Sequence, residues 1–207
     1  MIRVYKDWNF PETQYRRETT AKRQIVIHHT VSGDGVDGDM NWWLHTTERV
    51  ATSFIIGRDG NIHKCFGDDF WAYHLGLSNL HFTAFGLPYK QLDRQSIGIE
   101  LDSWGALAQH TDGKFYPITS LNGRVVPNLK CRPVKNIYEY CSGQKYRGFQ
   151  YFEQYTTAQL AALKELLQYL QDKHHIAANY GSGNNAKTVR ANMERSAIVE
   201  AYLSDLH

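Results

Sequence analysis

The chain has 207 residues, 42% of them hydrophobic, and a formal net charge of +2. That length fits one domain with a full-sized core, and the small charge without a Lys/Arg run argues against a nucleic-acid surface. No apolar run approaches the ~20 residues that cross a bilayer, so we expect no membrane span.

The N-terminus has no apolar signal-peptide region, because Met1–Asp7 is a mixed polar stretch. We therefore expect a protein that stays in the cytoplasm or is released from it by lysis; export by a route that the sequence does not show is the alternative. The three cysteines, Cys65, Cys131 and Cys141, do not form a disulfide framework. We predict free thiols, with a Cys131–Cys141 pair as the alternative if the protein is exported.

The residue pattern in the first third of the chain predicts an extended N-terminal segment, a strand and a short helix. Residues 1–23 are polar and predict an extended N-terminal segment. The β-branched run Gln24–His29 predicts a buried strand that ends at a glycine-rich loop, 32–35. Asp39 predicts the N-cap of a short helix through residues 41–44.

The next elements predict a hairpin and a second buried strand. The apolar runs 52–56 and 61–66 are joined through Asp59-Gly60, which favours a tight β-turn. Residues 96–101 form another apolar run. Its Gly98 indicates that another group packs close to the backbone there.

The rest of the chain predicts one long loop and two helices. Residues 103–155 show no strong periodicity and predict a decorated loop with at most one hairpin. Thr156 or Thr157 is a plausible cap for a helix whose leucines, from Leu160 to Leu170, recur at helical spacing. A last amphipathic helix is predicted between Val189 and Tyr202. Strands interleaved with helices indicate an α/β domain.

Two histidines end the first strand, just before the glycine-rich loop. Imidazole is the commonest Zn²⁺ ligand, but His28 and His29 must point to opposite faces of the strand. At most one of them can therefore be a ligand. The alternative is one buried, hydrogen-bonded histidine beside a solvated one.

Glu100 and His74 are the other candidates for chemistry. A carboxylate at the end of an apolar strand is costly to bury without a partner, and beside a metal it can act as a general base. A structural salt bridge is the alternative for Glu100. His74 lies among aromatic residues and beside a glycine, where it could orient a substrate or be a satisfied core histidine.

Five segments follow one another along the chain: Ile27–Thr30, Thr52–Gly60, Trp71–Gly76, Ile97–Glu100 and Tyr155–Leu160. Taken in this order, they resemble the N-acetylmuramoyl-L-alanine amidase family, which includes bacterial autolysins, phage endolysins and animal peptidoglycan recognition proteins. The resemblance covers roughly residues 20–175. Lys145–Phe149 also resembles a subset of these amidases with an enlarged loop.

The resemblance implies a central mixed sheet flanked by helices, in an amidase domain over residues 24–176 that carries 103–155 as an insertion. It implies one zinc ion in a substrate groove and hydrolysis of the amide between N-acetylmuramic acid and L-alanine in bacterial peptidoglycan. By position, His28 is the first zinc ligand and Glu100 the catalytic base. His74, Trp71 and Thr52 are the implied substrate contacts.

The chain also departs from the family. Ser53 and Thr52 stand where relatives carry other residues, and residues 177–207 form an atypical tail without the expected second and third zinc ligands. The candidates for those ligands are His207, His175 (with its neighbour His174) and Asp205. The alternative function is a catalytically inactive peptidoglycan-binding module or a structural component of a phage particle, which would bind muropeptides or serve as a scaffold.

Overall fold

The computed structural model describes residues 2–33, 35–140 and 145–176, and the elements below belong to that part of the chain. The first sheet contains β1 (Lys6–Asp7), β2 (Gln24–His29), β3 (Phe54–Ile56), β4 (Ile62–Lys64) and β5 (Ser96–Leu101). The second contains β6 (Ala106–Gln109), β7 (Phe115–Leu121), β8 (Arg124–Pro127), β9 (Ile137–Glu139) and β10 (Tyr151–Glu153). The helices are α1 (Val36–His45), α2 (Asn79–Ala84), α3 (Gln91–Gln95) and α4 (Thr157–His174).

The first sheet is mixed and has the order β1-β4-β3-β5-β2. β3, β5 and β2 run parallel, whereas β3 and β4 form the antiparallel hairpin predicted from the Asp59-Gly60 turn. Gly60 has a φ of +82°, a conformation that glycine adopts without strain. The predicted α/β class with a central mixed sheet is confirmed.

One face of the first sheet is covered by α4. Leu163, Leu166 and Leu170 are fully buried against the apolar side chains of β3 and β5, and burial of each leucine contributes about 1.5–3 kcal/mol. Thr156 is the N-cap, and its side chain and that of Gln159 satisfy each other's backbone N–H groups. The helix and its cap are therefore where the leucine spacing predicted them.

The opposite face is covered by α1, whose Met40 and Trp43 pack with Ile55. The prediction that Asp39 caps this helix is wrong. The helix begins at Val36 after Gly35, whose φ of +98° turns the chain, so Asp39 lies inside the first turn. There its carboxylate accepts a hydrogen bond of 3.1 Å from the Ser32 hydroxyl.

Residues 103–155 form the second sheet, antiparallel and ordered β8-β7-β6-β10-β9, so the prediction of a loop with at most one hairpin is wrong. Its strands are short and half exposed, and such strands lack the clean alternation that marks a strand with one buried face. Asn122-Gly123, with φ values of +50° and +74°, was the available signal, because this pair favours the tight turn between β7 and β8.

Some predictions fall on residues that the structure does not describe. Cys141, the tail 177–207 and the helix predicted between Val189 and Tyr202 lie outside the described residues. Within the described part, Cys65 and Cys131 are free. No helix in that part combines the length and apolarity needed to cross a bilayer.

Candidate active site

A cavity of about 500 Å³ opens at the carboxyl ends of β2 and β5, between α1 and the second sheet. Ligands of open α/β sheets bind at this end, where loops leave a crevice above a rigid base. Its polar lining includes His28, His74, Glu100 and Glu153. Its aromatic lining is Trp42, Trp43, Tyr146, Phe149, Phe152 and Tyr155.

His28 and Glu100 are direct neighbours at the floor of this cavity. The parallel register of β2 and β5 pairs His28 with Glu100, so both side chains lie on the face of the sheet that α1 covers. His29 takes the other face, where its ring fills the space that a side chain at Gly105 would occupy. The prediction that the two histidines diverge is therefore confirmed, and it is His28 that lies beside Glu100.

His74 makes one contact through each ring nitrogen. Its Nδ1 lies 2.9 Å from His28 Nε2, and its Nε2 lies 2.7 Å from the Ser96 hydroxyl. The Ser96 hydroxyl also lies 3.2 Å from the Asp93 carbonyl oxygen. The pKa of His74 is well below its ordinary value, chiefly because burial disfavours the charged ring. A neutral His74 therefore links the floor of the cavity to the start of β5.

Gly98 makes this placement of His74 possible. A Cβ at Gly98 would lie 3.0 Å from His74 Nδ1 and 2.7 Å from the Thr52 methyl group. Thr52 is 1% exposed and cannot move into solvent. The close approach that the sequence indicated at Gly98 is confirmed, and the approaching groups are His74 and Thr52.

We expect Gly98→Ala to lower the free energy of unfolding by about 1–3 kcal/mol, because the added methyl group overpacks a filled site. Gly38→Ala is the matched control, since Gly38 lies in α1 with open space around it. Alanine there favours the helix and should stabilise it by about 0.5–1 kcal/mol. Urea denaturation measures both, and equal effects of the two substitutions would contradict this assignment.

Asp93 ties the segment that carries His74 to α3. Its carboxylate accepts a hydrogen bond of 3.2 Å from the Leu75 backbone N–H and lies 3.7 Å from Lys90 Nζ. The side chain is fully buried. Burial raises the pKa of Asp93 to about 6, although the Lys90 charge opposes that shift.

The raised pKa of Asp93 makes the free energy of unfolding depend on pH. The folded protein holds the Asp93 proton more tightly than the unfolded chain does, so protonation of Asp93 stabilises the fold. This stabilisation is complete below pH ~4 and is lost as the pH rises through ~6. We expect it to amount to about 2–3 kcal/mol between those limits. Denaturation of wild type and Asp93→Asn from pH 4 to 7 should show a flatter profile for the variant; parallel profiles would refute the assignment.

Thr52 and Trp71, the other two implied substrate contacts, do not line the cavity. The Thr52 hydroxyl donates to the Phe54 carbonyl at 2.8 Å, within the backbone that leads into β3. Trp71 is 8% exposed, and its indole N–H donates to Glu18 at 2.9 Å. Both side chains are satisfied within the protein, and their contact with a substrate stays a prediction.

His174 and His175 lie at the opposite end of the sheet from His28. α4 begins at the carboxyl end, where Gln159 donates to the Ile56 and Asp102 carbonyls, and its 18 residues span about 27 Å. At its far end His174 pairs with Asp68 at 2.7 Å, and His175 is the exposed C-cap. The structure therefore does not bring His175 to His28.

The described residues do not by themselves fit a zinc centre. Within residues 2–33, 35–140 and 145–176, no three His, Cys, Asp or Glu side chains are grouped as metal ligands, and a zinc site takes three or four protein ligands. Among the candidates, His207 and Asp205 lie outside the described residues. His28 is thus one candidate ligand whose partners the described residues do not supply.

The aromatic wall of the cavity was missed at the level of the sequence. A tight turn in the insertion contributes Tyr146, Arg147 and Phe149 to the cavity. Tyr146 and Phe149 flank the two central residues of this turn and exchange backbone hydrogen bonds of 2.8 and 2.9 Å. The dense Tyr/Phe content between residues 146 and 152 was the signal. Their place at the cavity depends on long-range contacts, since the strand that follows this turn, β10, pairs with β6.

Comparison with known proteins adds a family match. The family model described as N-acetylmuramoyl-L-alanine amidase matches residues 18–195. A search of curated proteins found no match.

Solved structures show distant similarity. The structure of PlyL is 11% identical, with 85% of this chain and 77% of that chain covered and a TM-score of 0.48. The N-acetylmuramoyl-L-alanine amidase LysC from Clostridium intestinale URNW is 14% identical, with 95% and 99% covered and a TM-score of 0.44. The E. coli amidase AmiD, in complex with anhydro-N-acetylmuramic acid-L-Ala-D-gamma-Glu-L-Lys, is 18% identical, with 79% and 48% covered and a TM-score of 0.44.

Proposed function

The chain belongs to the N-acetylmuramoyl-L-alanine amidase family, and from that premise we propose that it hydrolyses the amide between N-acetylmuramic acid and L-alanine in bacterial peptidoglycan. The observation that carries the proposal is the register pair of His28 and Glu100 at the floor of a cavity of about 500 Å³. A carboxylate and an imidazole side by side at a strand end can move a proton to and from a bound substrate.

In this proposal Glu100 is the general base. Its carboxylate takes a proton from a water molecule as the water oxygen bonds to the lactyl carbonyl carbon. The C–N bond then breaks, and the proton passes from Glu100 to the departing nitrogen of L-alanine. The products are the lactyl carboxylate and a peptide with a free amino terminus.

The aromatic side chains would bind and shield the substrate. Trp42 lines the cavity and is 58% exposed. Tyr146 and Phe149 of the insertion line the same cavity. Apolar and aromatic walls with a few polar groups are the usual lining of ligand sites. This wall would exclude water from the reacting amide and thereby strengthen the contacts of Glu100.

We also propose that zinc takes part, with His28 as one ligand. Zinc would supply polarisation of the carbonyl and a more acidic water molecule. The remaining ligands would have to come from residues outside the described part, where His207 and Asp205 lie.

The second candidate is an inactive peptidoglycan-binding module, or a phage structural component built on the same fold. It is favoured by the missing group of three metal ligands within the described residues. Such a module would bind muropeptides whether or not metal is present, and binding would survive Glu100→Gln.

The test is incubation of the full chain with purified peptidoglycan and with a muropeptide, followed by mass spectrometry. We expect new L-alanine amino termini and free lactyl carboxylates on N-acetylmuramic acid. We also expect elemental analysis to find zinc bound to the full chain. Retained muropeptide binding without hydrolysis, at any zinc content, would instead establish the binding module.

A further inference from the structure

One part of the insertion carries an excess of positive charge. Between residues 113 and 138 the sequence has five basic residues and no acidic one, whereas the excess over the whole chain is two. All five side chains are exposed, and within the described residues none of them forms an ion pair. They are Lys114, Arg124, Lys130, Arg132 and Lys135.

The fold sets four of these cations along one edge of the second sheet. β8 is its outermost strand, and the chain that follows β8 stays beside β7. The Asn128 N–H donates to the Pro117 carbonyl at 2.7 Å, and the Val134 N–H donates to the Phe115 carbonyl at 2.8 Å. The cations from residue 124 to residue 135 therefore follow the length of β7, about 20 Å. We call residues 121–135 the basic edge.

The basic edge also exposes three aliphatic side chains. Leu121, Val125 and Leu129 are 60%, 56% and 56% exposed. Single exposed apolar side chains are ordinary on protein surfaces, but these three lie within nine residues, next to Arg124 and Lys130 in the sequence. Such a surface favours a partner that is both negatively charged and apolar.

Other occupants fit the basic edge less well. A second copy of the chain could pair with the outermost strand, but Arg124 and Pro127 in β8 oppose strand addition, and two copies would bring like charges together. A soluble polyanion would bind the cations and leave the aliphatic side chains in water. An anionic bilayer surface offers phosphates for the cations and an acyl boundary for the aliphatic groups.

We propose that the basic edge docks on the surface of an anionic lipid bilayer. Its cations contact the lipid phosphates, while Leu121, Val125 and Leu129 enter the headgroup region. This inference is independent of the proposed reaction, because the basic edge contains neither His28 nor Glu100. β7 also contributes Ile118 to the cavity lining, so docking would hold the cavity at a fixed position relative to the lipid.

The test is sedimentation of the full chain with two kinds of vesicle, pure phosphatidylcholine and equal parts of phosphatidylcholine and phosphatidylglycerol. At about 0.1 M salt we expect binding to the anionic vesicles and roughly tenfold or more weaker binding to the neutral ones. Raising the salt to about 1 M shortens the Debye length from about 10 to 3 Å. That increase should remove most of the binding.

Two substitutions separate the contributions of charge and apolar contact. Lys130→Gln removes one cation and should weaken binding to the anionic vesicles about fivefold. Leu121→Ser keeps the charge and should weaken the same binding roughly tenfold, because the aliphatic group no longer enters the bilayer. Lys164→Gln in α4 and Leu80→Ser in α2 are the matched controls, since both side chains are exposed and lie outside the basic edge. Both should bind as wild type does.

Equal binding to the two kinds of vesicle, or no binding to either, would overturn the proposal. If Lys130→Gln weakened binding while Leu121→Ser did not, the basic edge would be a surface for polyanions, which also overturns it. Thermal denaturation establishes that the variants fold, and Leu129→Ser replaces Leu121→Ser if that variant does not. Hydrolysis is not measured, so a chain that cuts no peptidoglycan still tests the docking.

Discussion

Glu100→Gln is expected to lower kcat for muropeptide hydrolysis by about 10²- to 10⁴-fold with little change in KM. Loss of a positioned general base has this magnitude, and the amide keeps the size of the side chain but cannot take the water proton. Steady-state release of L-alanine amino termini measures it. Binding of the muropeptide should persist, since the aromatic wall is untouched.

The control for this substitution is Glu165→Gln on the exposed face of α4. Glu165 lies on the helix, away from the cavity lining, so kcat should equal that of wild type. A reduction of less than about tenfold in Glu100→Gln would show that another group serves as the base.

Arg58→Met is expected to lower the free energy of unfolding by about 3–5 kcal/mol at pH 7, the usual cost of breaking a buried ion pair from one side. Arg58 holds Glu153 with two hydrogen bonds of 3.0 and 2.8 Å and also pairs with Asp102. Asp102 is 1% exposed, so the substitution leaves a carboxylate buried without its cation. Chemical denaturation with tryptophan fluorescence measures the loss.

Arg17→Met provides the matched comparison. Arg17 pairs with Glu12 at 2.8 Å, but both side chains are more than half exposed. Exposed ion pairs of this kind commonly contribute nothing measurable. If Arg58→Met were as mild as Arg17→Met, the buried network would have no stabilising role.

The strands that carry the site were predictable, but their register was not. The apolar runs around Ile27 and Ile99 predict buried strands, each with a polar residue near its carboxyl end. The pairing of His28 with Glu100 joins residues 72 positions apart, and no local pattern specifies such a register. The choice of His28 over His29 came from the family resemblance. The strand period already placed the two side chains on opposite faces, and the structure adds that His28 is the one beside Glu100.

The roles of the surrounding residues depended on tertiary contacts. Thr52 and Trp71 lie in segments that resemble the family, yet their polar atoms are satisfied inside the protein. His74 reaches the cavity only because Gly98 leaves room for it. Apart from the β7–β8 turn, the second sheet could not be predicted, because its short strands are half exposed and β6 pairs with β10, which lies far away in the sequence.

Arg58 also joins the two ends of the insertion 103–155. Asp102 precedes the second sheet and Glu153 ends it, and one guanidinium group binds both. The two ends of the insertion are thus held together by the hairpin turn of the first sheet. Because the cost of closing a loop grows slowly with its length, segments of other lengths could be grafted between these two carboxylates. Such an exchange would change the aromatic side chains that the insertion contributes to the cavity, whereas His28 and Glu100 lie on strands of the first sheet.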